Sequence, residues 1–519
     1  MKSLIFALAP LVALGCGNGS NNNSMPDMAM IPTTLGTAPP LAIACTDKAA
    51  DVYTLPTGLP AMDMTHRGDV FHCAVTESLT AAAANAQITA YNQPPVTGVD
   101  ATGTEPGNFT SGFWTYRIAY RTLRNTPATG APAEGDTAAV LLVPEKPIVG
   151  APLVVFAHGS VGIAPKCAPS LLDLSAPPTD QDYPASMMRL AAYGYTVIVP
   201  DYSGFSYGQS PPGYFNAEDE AHSVLDATRA AANVLPTMPA NVVLVGHSQG
   251  GHAVLSAQSY AKAYGLSGNL VGVAALAPLE TTMALFAAVT TSAGGFMTAN
   301  ASDVSFILYA MEYAYSAGAL RGDPGGGLAV FQAAKQQAAK DVMLGGECYD
   351  QPKLQALGAT PADFFDADYV NNVGFQCAAA PFNSDCTQAP STPAGDAPLW
   401  SSRWKQDRPA LDPMGAPILI WYGGKDTASR PGFAECAREK FAKDLSGAGA
   451  TTTIKYCFDA GAQHRDIIRR APADYVNQWI AARGGVGSEP TGSCADVPLP
   501  WTNADGTTGS GCETPPNDL

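Results

Sequence analysis

Two hydrophobic rhythms run along the chain, and the change from one to the other predicts its architecture. Residues 113–122 alternate apolar and polar positions as a half-buried strand does. A turn-rich connector, 125–136, leads to a second strand at 137–144, so the pair reads as an antiparallel hairpin. Beyond it the alternation fades. Strand-like apolar runs at 153–157, 195–200, 242–245, 271–276, 417–422 and 452–457 are interleaved with helical patterns near 184–193, 217–235, 249 onward and 432–445, and a last helix follows at 473–482. Apolar strands joined by helices predict an α/β chain with a mostly parallel central sheet covered on both faces. The helix at 217–235 shows how local the code is. Asn216 can cap it, Glu218, Asp219 and Glu220 suit its positive first turn, and Pro236 stops it.

At 519 residues the chain exceeds what one compact core usually holds. The excess lies between the strands at 271–276 and 417–422. Helical patterns at 281–289, 302–317, 327–344 and 361–372 predict a helical cap inserted over residues 280–412. Phe286, Phe306, Ile307, Leu308, Tyr309 and Met311 form either the cap's own core or the lining of a pocket beneath it. The remaining core then comprises residues 45–279 and 413–483. Its opening stretch, 45 to about 110, is rich in Pro, Thr and Gly and predicts loops and short helices. Residues 484–519 read as a tail.

Residues 1–16 run from Lys2 through an apolar stretch to Gly15-Cys16, a secretory signal too short to span a membrane. The ending resembles a bacterial lipobox, which would make Cys16 the lipidated residue and the polar stretch 17–44 a flexible tether. Such a chain belongs in the cell envelope or outside the cell. Ten further cysteines suit five disulfides in an exported protein, and close pairing suggests Cys45–Cys73, Cys377–Cys386, Cys436–Cys457 and Cys494–Cys512, leaving Cys167–Cys348. No C-x-x-C spacing points to zinc. With 45 acidic against 28 basic residues and no polybasic run, the net charge of −17 argues against a nucleic-acid partner.

The chemistry centres on 241–252, where an apolar strand runs into Gly246-His247-Ser248-Gln249-Gly250 and a helix of small residues follows. A serine hydroxyl is a weak nucleophile and must project from a sharp strand-to-helix turn to meet a base. That turn crowds the positions two before and two after it, which are Gly246 and Gly250. A base must follow in the order Ser, acid, His. Of seven histidines, His464 alone falls late enough, in a loop after the last strand. His252, one helical turn past Ser248, is the nearest competitor. For the acid, Asp426 ends a buried strand in Tyr422-Gly-Gly-Lys-Asp426, with Asp407, Asp412, Asp459 and Asp466 as alternatives. Two backbone N–H groups must hold the oxyanion. One belongs to Gln249; the other comes from His158-Gly159-Ser160-Val161-Gly162, with Ser160 preferred and Gly159 or Val161 as substitutes.

On the residues Tyr116-Arg-Ile-Ala-Tyr-Arg121, Pro200-Asp201-Tyr202-Ser-Gly204, Asp226-Ala-Thr-Arg229, Gly246 through Ala253 and Gly424-Lys-Asp426, the chain resembles the secretory lipase group of α/β-hydrolases over roughly 113–483. The resemblance implies the α/β-hydrolase fold with a helical cap between nucleophile and acid. It also implies hydrolysis of small-molecule or lipid carboxylic esters through an acyl-enzyme, without metal or cofactor. A serine peptidase of the same fold, an esterase acting on polymers or aryl esters, and a non-enzymatic surface binding protein on this scaffold are the competing expectations.

Overall fold

A strand in the middle of a parallel sheet is walled on both faces, so it can be apolar throughout; β4 (Leu153–Ala157) and β5 (Val197–Pro200) are buried at every residue. They belong to one sheet with β1 (Val70–Leu79), β2 (Phe113–Leu123), β3 (Glu134–Pro144), β6 (Asn241–His247), β7 (Asn269–Leu276), β8 (Ile418–Gly423) and β9 (Ile454–Asp459). The computed structural model describes residues 34–93, 111–125, 133–178, 183–207, 211–280, 284–291, 301–323, 325–345, 348, 351–379, 392–469, 473–491 and 494–502. Within them the strand order is β1-β2-β3-β5-β4-β6-β7-β8-β9. β1, β2, β3 and β5 pair antiparallel in succession, and from β5 to β9 every pairing is parallel. This is the mostly parallel sheet, opened by antiparallel strands, that the hydrophobic pattern predicts.

β6 lies between β4 and β7, with Gly246 paired to Ala157 on one side and Ala275 on the other. Helices Tyr183–Ala192, Ala217–Val234, Gln249–Tyr264 and Phe433–Asp444 surround the sheet in the predicted places. The Asn216 side chain does cap the second of these, accepting from the Asp219 amide.

Two readings need correction. β1 falls in a stretch expected to be loops. It is hidden in the sequence because Thr76-Glu77-Ser78 interrupts its apolar positions, and its ladder with β2 slips between Val70 and His72 and again between Val75 and Ser78. The insertion is also less regular than its helical patterns imply. Ala301–Leu320 is a continuous helix, but the helix expected at 327–344 breaks at Phe331, which is extended and bridges to Phe365. That bridge also interrupts 361–372, leaving a short turn at Pro361–Asp363 and a wide helical segment at Tyr369–Ala379. The start of 281–289 lies outside the described residues, and its helix runs Ala284–Val289.

The insertion has a core of its own. Phe286, Ile307, Leu308, Met311, Phe364 and Trp400 are buried there, with Phe306 and Tyr309 at its margin, and Ile163, Tyr214 and Phe215 join it from the sheet side. Disulfide Cys45–Cys73 forms as close spacing suggests, and Cys167–Cys348, expected only as the remaining pair, forms as well. Cys457, however, bonds Cys494, so neither Cys436–Cys457 nor Cys494–Cys512 exists. The reason is spatial: Phe458 on β9 bridges to Ala495, which carries the tail alongside that strand. Cys377 and Cys436 are also disulfide-bonded; Cys386 and Cys512 lie outside the described residues, as do Cys16 and most of the expected tether. Disulfides of this number suggest an extracellular or periplasmic protein. Among the described residues no helix is long and apolar enough to cross a membrane.

Cys167–Cys348 closes a loop of 181 residues between the sheet region and the insertion. Chain entropy alone assigns such a closure about 5 kcal/mol. Replacing both cysteines by Ala is therefore expected to lower the thermal midpoint by several degrees, measured by calorimetry. An unchanged midpoint would show that packing alone holds the insertion in place.

Candidate active site

The turn between β6 and helix Gln249–Tyr264 leaves no room for side chains. A Cβ on Gly246 would lie on the Gly250 carbonyl, and one on Gly250 would lie on the Ala157 carbonyl of β4. Ser248, pinched between them, adopts φ 56° and ψ −118°, a region L-residues rarely visit. The strain lifts its hydroxyl out of the sheet, and the residue is half-buried rather than enclosed.

Above this turn the structure brings together side chains that lie far apart in sequence. His464, at the start of the short helix His464–Arg469, places Nε2 2.8 Å from Ser248 Oγ. Its Nδ1 is 2.8 Å from Asp426 Oδ2. Asp426 is buried in the loop after β8, and its Oδ1 accepts from the Ala428 and Ser429 amides at 2.7 and 2.8 Å. With the carboxylate fixed at both oxygens, Nδ1 carries the proton and donates it, which leaves Nε2 as an acceptor facing the serine.

The other candidates serve elsewhere. His247 Nε2 donates to the His464 carbonyl at 3.0 Å, so its ring holds the His464 backbone. His252 is fully buried between Glu220 and the Asp407 carbonyl. Asp407 receives Asn216, Tyr313 and Arg321. Asp412, Asp459 and Asp466 each accept a nearby backbone amide, from Met414, Gly461 and Gln463 respectively.

Opposite the base, the loop after β4 passes close to the serine. A Cβ on Gly159 would stand 3.2 Å from the His247 carbonyl oxygen and 3.3 Å from Ser248 Cβ, so glycine lets this loop approach without displacing its neighbours. Ser160 follows, its hydroxyl 2.7 Å from Tyr214 Oη. Tyr214 packs near Phe286 and Tyr309 of the insertion. Gln249 is the first residue of its helix, with its side chain turned away to Glu220. His158 is buried, with Nδ1 donating to the Gly159 carbonyl at 2.6 Å and Nε2 3.3 Å from the Asp201 carbonyl, and burial pushes it down to about 4. Among the described residues no cluster of three or more His, Cys, Asp or Glu could hold a metal ion.

Glu280, Glu312, Tyr214 and Glu220 were not singled out by the sequence. Glu280 follows β7 and accepts from Tyr422 Oη at 2.7 Å; burial, helped slightly by the Asp426 charge, pushes it up to about 8. Burial does the same to Glu312 on the insertion helix. Only Glu220 had a visible setting, as a first-turn acid, and that signal described the helix dipole rather than its partner.

The sequence matches the alpha/beta hydrolase family over residues 154–477. No curated protein matches it. Among solved structures, Candida antarctica lipase A in its closed state is 19% identical with a TM-score of 0.54, covering 92% of this chain and 94% of that one. The rice cell wall degrading esterase LipA from Xanthomonas oryzae is 17% identical with a TM-score of 0.52, covering 81% of this chain and 97% of that one. At these identities the likeness is one of fold.

Buried ionisable groups of opposite kind give the stability a defined pH profile. His158, His222 and His247 are held down to about 4, 4 and 3, chiefly by burial, so they resist protons that the unfolded chain accepts below 6.5. Glu280, Glu312 and Asp201 are raised to about 8, 8 and 7, again by burial, so the folded chain keeps protons that the unfolded chain releases above about 4. Between about pH 4.5 and 6.5 the two sets oppose each other and stability is flat. Above pH 6.5 only the carboxyls still differ between the two states, so stability falls toward pH 8; below 4.5 only the histidines do, so it falls again until they protonate in the fold near 4 and 3. The thermal midpoint across pH 3.5–9 checks this; a midpoint that climbs from pH 6.5 to 8 would contradict it.

Proposed function

The chain belongs to the alpha/beta hydrolase family, and from that premise we propose that it is an exported serine esterase or lipase cleaving carboxylic esters through an acyl-enzyme. The observation that carries the reading is the single relay of hydrogen bonds, 2.8 Å from Ser248 Oγ to His464 Nε2 and 2.8 Å from His464 Nδ1 to Asp426 Oδ2. His464 takes the hydroxyl proton as Ser248 Oγ attacks the ester carbonyl. Asp426 keeps the ring in the required tautomer and balances the imidazolium. The tetrahedral oxyanion is held by the N–H groups of Gln249 and Ser160, with Gly159 allowing the loop its approach. His464 Nε2–H then protonates the leaving alcohol. Water, deprotonated by the same nitrogen, attacks the acyl carbonyl and returns Ser248.

Several surroundings fit this reading. Tyr214, whose hydroxyl meets Ser160, has Phe286 and Tyr309 packed near it, an apolar setting that suits an acyl chain. Residues 280–412 act as the cap that supplies it. Residues 45–279 and 413–483 supply the catalytic core, and 484–519 a tail fastened by Cys494. Lipidation at Cys16, after removal of residues 1–15, would tether the enzyme to a bacterial envelope through residues 17–44. The solved relatives carry the names lipase and cell-wall-degrading esterase, and both agree with ester cleavage.

Ser248→Ala is expected to fold normally and to lose turnover of p-nitrophenyl butyrate on the order of a million-fold. Turnover retained by that variant would remove the assignment. A series of p-nitrophenyl esters from acetate to palmitate, run beside matched anilides, separates esterase from lipase and both from peptidase. Amide cleavage at rates comparable to the ester would favour the peptidase.

A further inference from the structure

Two buried carboxyl groups stand behind the helix end and the loop that carry the two proposed oxyanion donors. Glu220, on helix Ala217–Val234, lies 1% exposed. Its Oε1 accepts from Gln249 Nε2 at 2.8 Å and from the Phe215 amide at 2.9 Å. Its Oε2 meets His252 Nδ1 at 2.6 Å, and His252 Nε2 meets the Asp407 carbonyl at 2.7 Å. Gln249 and His252 are the first and fourth residues of the helix that begins at Ser248, so Glu220 grips that helix by two side chains of its first turn. Across the site, Glu312 of helix Ala301–Leu320 is equally buried. Its Oε1 accepts from the Ile163 amide at 3.2 Å, in the loop that carries Gly159 and Ser160. Its Oε2 has no partner, although the carboxyl is enclosed.

The next residue on the same helix completes the connection. Tyr313 Oη donates to Asp407 Oδ2 at 2.9 Å, and the Asp407 carbonyl is the one His252 meets. Glu312 and Tyr313, adjacent on one insertion helix, therefore reach both sides of Ser248. Neither Glu220 nor Glu312 touches Ser248, Asp426 or His464, so neither belongs to the proton relay.

Resting on the esterase reading above, we propose that Glu220 and Glu312 are positioning residues for the two oxyanion donors, and that the insertion helix Ala301–Leu320 is a fixed part of the oxyanion hole. Oxyanion stabilisation depends on donors aimed before the reaction begins, because reorientation during the reaction would cost what the bond returns. Gln249 is held by its own side chain, so its N–H cannot swing with fraying of the helix end. The loop at 158–163 is glycine-rich and would otherwise be free to move; the Ile163–Glu312 and Ser160–Tyr214 bonds stop it at two points.

What each carboxylate supplies is an acceptor at Oε1, and glutamine supplies the same atom. Glu220→Gln keeps the acceptor for Gln249 and Phe215, and His252 can turn Nδ1 into an acceptor by changing tautomer. Glu312→Gln keeps the acceptor for Ile163. Leucine keeps much of the volume and removes the acceptor. The test is p-nitrophenyl butyrate kinetics on the wild type, both Gln variants and both Leu variants, with a thermal melt of each. The Leu variants are expected to lose at least tenfold in kcat with KM within threefold, and the Gln variants to stay within threefold in both. Where a Leu variant gives no cooperative melt, Gln249→Leu replaces Glu220→Leu and Glu312→Met replaces Glu312→Leu, with the same loss of kcat expected. Folded variants lacking the bond but keeping kcat within threefold of wild type overturn the inference. So does a Gln variant that loses as much as its Leu counterpart. A wild type inert toward every ester removes the esterase reading and this inference together, whereas an active wild type beside undisturbed Leu variants removes this inference alone.

Discussion

The close approach of three backbones at Ser248 is the constraint from which the site follows. β4 and β6 are neighbours in parallel register, Ala157 against Gly246, and the helix after β6 must turn back across the end of β4. Gly250 lies against the Ala157 carbonyl so tightly that a methyl group would overlap it. Given that contact, Ser248 has no relaxed conformation available and takes φ 56°. The strain is sustained because the two strands and the helix, each anchored in the main core, over-determine the turn. The same contact places the loop after β4 beside the serine, which is why a candidate nucleophile and a candidate oxyanion donor arise from one packing event.

How much of this could be read in advance depended on whether the signal was local. The sheet interior was readable, since strands buried on both faces are apolar at every position and helices between them are amphipathic. β1 was not, because it is an edge strand with two slips in register and the polar run Thr76-Glu77-Ser78 in its sequence. The insertion misled for a different reason. Residues 327–344 have helical composition throughout, yet Phe331 is drawn into a bridge with Phe365, and a tertiary contact between two aromatic side chains outweighs a propensity worth a few tenths of a kcal/mol per residue. The disulfides divide in the same way: Cys45–Cys73, close in sequence, was predictable, and the tail's attachment to β9 depended on where the chain returns in space.

The candidate site shows the same division between side chains. Ser248, Asp426 and His464 are marked by the turns that carry them, because a nucleophile, an acid and a base each need a loop at a strand's carboxyl end. Glu220 and Glu312 carry no such mark. One looks like an ordinary first-turn acid and the other like an isolated charge in an apolar helix. Their significance arises only when Gln249, His252 and Ile163 are brought to them, and no periodicity encodes those meetings.

A chain with 45 acidic residues has ample exposed surface for them, so burying Glu220, Glu280, Glu312 and Asp407 near one serine calls for a physical reason. Stability is a poor one, since each buried carboxyl carries a desolvation cost that an apolar side chain of similar volume would avoid. Their bonds instead converge on the frame around Ser248: the Phe215 and Ile163 amides, the Gln249 and His252 side chains in the first turn of the helix after it, and the Tyr422 hydroxyl on the strand leading to Asp426. Hydrogen bonds fix direction as well as distance, which dispersion contacts do not. If these N–H groups serve the proposed reaction, each must point at an atom that becomes charged only as it proceeds, and direction is then the property worth a desolvation cost.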